Sequence, residues 1–202
     1  MVKKCYRFYA GLMRSQARFL NRMASEGYRL IHTDKLLYEF EDCEPNAYEY
    51  CVEYVGDKTS QNAEEYKRFL EDMGYHVFFK NINLNYSSGK IYYRPWAEKG
   101  GKLGTSRTTL NKELLLIEKP KDGKPFELHT TYEDRIKYMK SLRNPWLCLC
   151  LMFLLFLMME LFFQSHSGTL VFGIFILLML IPVVLYQLEI RKLTKESKTK
   201  EW

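Results

Sequence analysis

The sequence is poor in the residues on which catalysis and metal binding usually depend. It has only four histidines and five cysteines among 202 residues. No histidine or cysteine stands in a zinc-ligand spacing such as CxxC or HExxH, and no GxSxG nucleophile motif occurs. The stretch Gly101–Ser106 (GKLGTS) lacks the order of a phosphate-binding loop, GxxxxGK[ST]. These absences predict a protein that is not an enzyme and that has no metal site and no cofactor.

Charged residues are nearly missing from two long stretches near the C-terminal end. Trp146–Phe163 contains one charge, Glu160, and Thr169–Gln187 contains none. Each stretch would be about 27 Å long as a helix, close to the roughly 30 Å apolar core of a bilayer. With the short connection QSHSG between them, they predict a transmembrane helical hairpin over residues 146–188. The alternative is a pair of helices buried in a soluble core, which would not need such long and uniform apolar runs.

Lys and Arg are absent from the connection QSHSG and abundant on the other side of both stretches. The positive-inside rule then places both termini in the cytoplasm. The N-terminal residues lack the continuous apolar stretch of a secretory signal, which favours a cytosolic N-terminal domain and reduced cysteines. Candidate membrane-surface residues are Arg135, Lys137, Lys140, Arg143, Arg191 and Lys192. They suit anionic lipid headgroups, and the alternative is that they only set the orientation.

A compact α+β domain is predicted over residues 1–96. Alternating or extended stretches predict strands at Lys4–Tyr9, Tyr28–Ile31, Lys35–Glu41, Tyr48–Val55, His76–Asn81 and Lys90–Arg94. Helical spacing predicts helices at Leu12–Glu26 and Ser60–Met73, with Ser60 as the N-cap of the second. The stretches FLNRMASEGYRLI and FLEDMGYHVFF repeat a helix, a helix-ending glycine (Gly27 and Gly74) and a strand. Two such β-α-β halves predict a ferredoxin-like (split βαβ) cytosolic domain.

Three further segments complete the predicted organisation. Residues 97–128 form a basic, Gly- and Lys-rich segment with one short strand at Leu114–Ile117. Residues 129–144 form a juxtamembrane helix, capped by Thr130 or Thr131 and broken by Asn144-Pro145 before the membrane. Residues 189–202 form a basic cytosolic tail.

Acidic residues are concentrated in the predicted hairpin between Lys35 and Lys58, where seven Asp and Glu occur without any Lys or Arg. The acidic set (Glu39, Glu41, Glu49 and Glu53) is a candidate docking surface for a basic protein partner, and the alternative is a solvated face. Tyr48, Tyr50 and Tyr54 share one face of a strand, as an RNA-stacking platform would. The interleaved acids repel phosphate, so these tyrosines are expected to pack in the core and no nucleic acid is expected to bind.

Glu160 is the candidate intramembrane polar site. An acidic residue inside a span is a functional-site candidate by default, as a proton or ion site. Glu160 also lies one turn from the end of the span and can reach the interface there. Both interpretations stay open from the sequence.

The order of these patterns resembles the bacterial membrane family filed as domain of unknown function 2812. The resemblance rests on Tyr-Arg-Phe in the first strand, FLNRMASEGYRL, YEYCVEYV, FLEDMGYHVF, Tyr92-Tyr93-Arg94-Pro95 and ELHTTYEDRIKY, and it covers essentially the whole chain. It implies a bacterial cytoplasmic-membrane protein, often encoded beside PadR-type transcriptional regulators. No activity is established for the family, so the resemblance implies no catalytic residue.

Together these patterns predict a membrane-anchored cytosolic regulatory or adaptor module that binds a protein partner. One alternative is a small-ligand sensor tethered to the membrane, which would need an apolar cavity with converging polar groups. Another is an accessory subunit of an export or envelope-stress system, which would need polar or small residues on the hairpin surface. Homo-oligomerisation is left open by the sequence.

Overall fold

The computed structural model describes residues 2–56, 58–82, 84, 86–88, 91–93, 103–104, 113–123, 126, 132–163 and 168–200. The chain divides into two compact units, Met1–His129 and Thr130–Trp202. The first unit is α+β and the second is made of two long helices. The sequence placed the end of the α+β domain at residue 96, and the structure extends the unit well beyond it.

The N-terminal unit has nine described strands and two helices. The strands are β1 (Lys3–Tyr6), β2 (Tyr28–Thr33), β3 (Leu37–Asp42), β4 (Tyr48–Tyr54), β5 (His76–Lys80), β6 (Tyr86–Ser88), β7 (Ile91–Tyr93), β8 (Leu103–Gly104) and β9 (Leu114–Pro120). The helices are α1 (Met13–Ser25) and α2 (Ser60–Asp72). These strands form three antiparallel three-stranded sheets, ordered β1-β3-β2, β4-β9-β5 and β6-β7-β8. The single ferredoxin-like sheet expected from the sequence is not confirmed.

The first two sheets repeat one plan. In each, two strands joined through a helix flank a third strand that runs antiparallel to both: β3 between β1 and β2, and β9 between β4 and β5. Each sheet is therefore a split β-α-β unit. This topology agrees with the sequence repeat, and it explains why the order helix, glycine and strand occurs twice in one short chain.

Strand β9 is the element that the sequence misjudged most. Its residues Leu114 to Ile117 are at most 1 % exposed, and they pair with β4 on one side and β5 on the other. What was expected to be a short strand in a basic segment is the centre of the second sheet. The rest of that basic segment lies mostly outside the described residues.

The helix ends follow the predicted chemistry with one correction. Gly27 and Gly74 both have φ of +87°, a left-handed conformation that glycine adopts at little cost, and each follows the C-cap residue of its helix. At the start of α2, the N-cap is Thr59, not Ser60. The Thr59 side chain accepts a 3.2 Å hydrogen bond from the Asn62 backbone N–H, which satisfies a donor that the helix leaves open.

The C-terminal unit consists of α3 (Tyr132–Phe162) and α4 (Thr169–Lys200). Both helices are long and apolar enough to cross a membrane. Only 6 % and 11 % of their most apolar windows are buried, whereas helices of a soluble core would be buried. The soluble-core alternative therefore lacks the packing that it requires.

The break expected at Asn144-Pro145 does not occur. Pro145 lies inside α3, so the predicted juxtamembrane helix and the first apolar stretch are one helix. Leu142 and Cys150, on either side of the proline, are both buried. Packing along this face offsets the cost of about 3 kcal/mol that proline brings to a helix interior. The predicted caps, Thr130 and Thr131, lie outside the described residues.

Candidate functional site

Strand pairing places a basic residue directly opposite three of the four acidic-set residues. Glu39 faces Lys4 across β1 and β3, and their side chains form a 2.9 Å salt bridge. Glu41 faces Arg29 across β2 and β3, with Nη1 of Arg29 3.7 Å from its carboxylate. The bond to Glu39 raises the pKa of Lys4. Two carboxylates of the acidic set therefore have basic partners within the fold.

The other two acids lie in the second sheet. Glu49 faces Lys119 across β4 and β9. Glu53 is only 6 % exposed, and its carboxylate accepts a 2.8 Å hydrogen bond from the Tyr66 hydroxyl. A docking role for the acidic set stays a prediction. The structure nevertheless takes Glu53 out of any surface that a partner could reach.

The strongest polar arrangement in the N-terminal unit is one that the sequence did not indicate. Glu118 on β9 is 2 % exposed, and its carboxylate accepts a 2.6 Å hydrogen bond from the Tyr50 hydroxyl. Arg29 donates to the same carboxylate from Nε at 3.0 Å and contacts it from Nη2 at 2.9 Å. His76 places Nδ1 3.9 Å from it. We call these four residues the Glu118 cluster.

The register of the second sheet explains this convergence. Tyr50 and His76 both stand opposite Glu118, from β4 and from β5, so the three side chains form a row across one face. Arg29 comes from β2 of the first sheet, and the Leu30 N–H of that strand also donates to the Tyr50 hydroxyl at 2.9 Å. The Glu118 cluster thus joins the two sheets through buried, charge-assisted hydrogen bonds. Burial and the nearby carboxylate raise the pKa of Tyr50, so its hydroxyl stays protonated as a donor.

A second buried cation joins the same two sheets. Lys80 on β5 is 3 % exposed and donates to the Thr33 hydroxyl at 2.8 Å and to the Asp34 carbonyl. Burial lowers the pKa of Lys80 to about 8. The ammonium group keeps its proton at neutral pH and holds β5 to the turn between β2 and β3.

The edge of β4 is satisfied by a side chain and not by another strand. Asn21 of α1 donates to the Tyr50 carbonyl at 2.8 Å and accepts from the Tyr50 N–H at 2.8 Å. The amide thus copies the pairing that a neighbouring strand would give. Since Tyr50 is only 2 % exposed, the three tyrosines of β4 do not form an exposed stacking platform.

The structure brings together no group of three or more His, Cys, Asp or Glu side chains that could hold a metal ion, within the described ranges. The polar groups of the Glu118 cluster bond to one another and to the backbone. Their observed bonds connect the sheets, and they indicate a structural role. The expectation that this protein is not an enzyme stays a prediction.

The candidate membrane-surface residues lie where α3 and α4 pack as an antiparallel pair. Buried apolar residues from both helices meet there: Tyr138, Met139 and Leu142 of α3, and Tyr186, Ile190 and Leu193 of α4. Arg143 of α3 donates a 2.7 Å hydrogen bond to Gln187 of α4. The predicted basic tail is therefore, as far as Lys200, part of α4, and its residues Ile190 and Leu193 are buried. Lys137, Lys140, Arg191 and Lys192 are exposed on this pair, and Arg135 is half-buried.

Glu160 has a structural partner at the other end of the same two helices. Its Oε2 accepts a 2.8 Å hydrogen bond from the Gly168 N–H, immediately before α4 begins. Glu160 therefore caps the start of α4. Further along the two helices, the rings of Phe153 and Phe175 stack at 5.1 Å.

Comparison with known proteins yields one match. The family model described as "Protein of unknown function (DUF2812)" matches residues 13–151, which is more than half of the chain. No curated protein and no solved structure matches the chain.

Proposed function

The chain belongs to the DUF2812 family of proteins of unknown function, and on this premise we propose that it is a membrane-anchored regulatory or adaptor module that binds a protein partner. One observation carries this proposal. A compact α+β unit stands on the same chain as two helices that are long and apolar enough to cross a membrane. In this arrangement the two helices would anchor the protein, and the α+β unit would bind a partner at the membrane surface.

The proposed location is the bacterial cytoplasmic membrane, with two spans and with both termini in the cytoplasm. Support comes from the exposed basic residues at one end of α3 and α4 and from the short connection at the other end. Anionic lipid headgroups are the proposed partners of Lys137, Lys140, Arg191 and Lys192, each contributing about 1 kcal/mol near a charged surface. The same proposal includes a regulatory role for this protein and a gene that lies next to that of a PadR-type transcriptional regulator.

Photo-crosslinking in native membranes tests the adaptor role. A photoreactive amino acid replaces Tyr6 or Phe69, both exposed on the N-terminal unit, and Leu155, exposed on α3, serves as the matched control. We expect a protein adduct of defined mass from position 6 or 69 and lipid adducts from position 155. Protein adducts from position 155 alone would replace this proposal with the accessory-subunit alternative. Absence of protein adducts at every position would contradict partner binding.

A further inference from the structure

Among the described strands, β1 is an edge strand, and no further strand pairs with its outer side. Its neighbour among the described strands is β3, and the sheet order β1-β3-β2 leaves it at the end. The Arg7 N–H donates to the Leu36 carbonyl at 2.9 Å, so the ladder bonds of this strand fall on odd-numbered residues. Because those bonds alternate along an antiparallel strand, the backbone N–H and C=O groups of Lys4 and Tyr6 point away from β3. These groups are available to another strand.

Large apolar side chains stand exposed along this edge. Tyr6 is 70 % exposed, Phe8 is 56 % exposed and Leu36 is 43 % exposed. Because side chains alternate along a strand, Tyr6 and Phe8 lie on one face, and we call this pair the β1 edge patch. Leu36 stands opposite Arg7, on the other face. Folded proteins usually protect an open edge, and contiguous exposed apolar groups mark interaction sites.

The charge around the β1 edge patch is mainly positive. Up to Ser25 the chain has six Lys and Arg residues and no Asp or Glu. The guanidinium groups of Arg7 and Arg22 both lie over the Phe19 ring, at 5.7 and 5.8 Å from its centroid, so the strand and the helix α1 present their cations together. The carboxylates of Glu26 and Glu39 are paired with Lys3 and Lys4 and leave an excess of positive charge.

We propose that the open edge of β1 binds an extended acidic segment of a protein partner, which adds to the sheet as a further strand. The backbone of the partner would bond to Lys4 and Tyr6, and its apolar side chains would cover the β1 edge patch. Its acidic side chains would lie against Lys3, Arg7 and Arg22. This inference rests on the proposed function and names the chemistry of the partner. A second copy of the chain fits less well, because two β1 edges would bring like charges together.

A peptide titration tests the edge directly. The full chain is placed in nanodiscs of neutral lipid, and fluorescence anisotropy follows a labelled peptide in which Glu alternates with Val. A peptide with Lys in place of Glu tests the charge requirement. A third peptide is N-methylated at alternate residues, on the edge that would face β1, and so cannot donate backbone hydrogen bonds there. We expect the first peptide to bind and each of the other two to bind at least about fivefold more weakly, as lost hydrogen bonds and lost charge pairs require.

Two substitutions at one position separate the backbone from the side chain. Lys4→Pro and Lys4→Ala both remove the charge and the bond to Glu39, but only proline removes the outward N–H. We expect Lys4→Pro to weaken binding of the first peptide at least about fivefold relative to Lys4→Ala. The N-methylated peptide gives the same information with an unaltered protein, so misfolding of the proline variant does not decide the outcome.

Other outcomes would overturn the inference. Equal binding of the plain and N-methylated peptides would show that charge alone attracts the peptide. The peptide could fail to bind in neutral nanodiscs while substitutions at positions 4 and 6 weaken binding of the protein to anionic lipid. That result would assign the edge to a membrane surface. A dimer that Lys4→Pro dissociates would assign it to a second copy. Failure here is distinguishable from failure of the proposed function, because photo-crosslinking from position 69 does not depend on the β1 edge.

Discussion

Tyr50 donates a 2.6 Å hydrogen bond to Glu118, directly opposite it in the second sheet, and accepts one at 2.9 Å from Leu30 in the first. A single phenol hydroxyl therefore connects the two split β-α-β halves. Arg29 adds a charged connection to the same carboxylate, and the bond to Glu118 raises the pKa of Arg29. The integrity of the N-terminal unit depends on these buried contacts.

Removing the hydroxyl should therefore weaken the unit. Tyr50→Phe leaves the Leu30 N–H and the Glu118 carboxylate without this partner, so we expect a loss of about 1–3 kcal/mol in the free energy of unfolding. Tyr48→Phe, on the same strand, is the matched control and should change it by less than about 0.5 kcal/mol. Urea unfolding of the full chain in detergent, followed by hydrogen exchange of residues 28–54, measures both. Equal effects of the two substitutions would contradict a special role for Tyr50.

Lys80 should make stability depend on pH in a defined window. Its pKa is lowered from 10.5 to about 8 by burial. Between those values the unfolded chain holds a proton that the folded chain has released, so stability rises as pH increases through the window. The contribution amounts to about 3 kcal/mol across the window, and Lys80→Met should abolish this rise.

The free energy of unfolding is measured from about pH 7 to pH 10.5 on the wild type and on Lys80→Met. The difference between the two profiles gives the contribution of Lys80. Lys35→Met, at an exposed position near the same turn, is the control and should keep the wild-type profile. Parallel profiles for the wild type and Lys80→Met would show that Lys80 has the same pKa in the folded and unfolded states and would contradict this prediction.

Glu160 is expected to act as a helix cap and not as a proton site. Glu160→Gln keeps an oxygen that can accept from the Gly168 N–H, so thermal stability in detergent should stay within about 0.5 kcal/mol of the wild type. Glu160→Ala removes the acceptor and should cost about 1 kcal/mol. Gly168→Ala should act in the same direction, because its Cβ would lie 2.9 Å from Oε1 of Glu160. A large loss with Glu160→Gln would favour the ionisable-site interpretation.

The C-terminal segment should behave as a packed helix up to its basic end. Leu193 is 2 % exposed among the residues where α3 and α4 meet. Leu193→Ala should lower the free energy of unfolding of this segment by about 2–5 kcal/mol. Trypsin should then cleave after Arg191, Lys192 and Lys195. The neighbouring exposed Thr194→Ala is the control. Rapid cleavage after these residues in the wild type would show a free tail instead.

Local signals in the sequence predicted a good part of this fold. The glycines that end α1 and α2, the alternating strands β3 and β4, and the two long apolar helices follow from patterns within a few residues of one another. The sheet order does not, because it depends on contacts between distant segments. A basic, glycine-rich stretch precedes strand β9, and its apolar run of four residues, Leu114–Ile117, gives no information about its neighbours, so the sequence predicts only a minor element there.

The same limit applies to the site. The acidic set looked unpaired because no Lys or Arg occurs between Lys35 and Lys58, whereas Lys4, Arg29 and Lys119 come opposite through strand pairing. Glu118 had one weak signal, a lone carboxylate directly after the apolar run LLLI. Its partners come from three other strands, and only the register of the sheets shows that they meet.

The central claim is that α3 and α4 hold the α+β unit on the cytoplasmic face of a membrane, with both ends of the hairpin on that face. Single cysteines placed at Lys3, at residue 166 and at Lys198, in a variant without the native cysteines, test it by labelling of intact cells with a membrane-impermeant maleimide. The account predicts that only residue 166 is labelled until the cells are permeabilised. Labelling at Lys3 or Lys198 in intact cells, or equal labelling at all three positions, would contradict it.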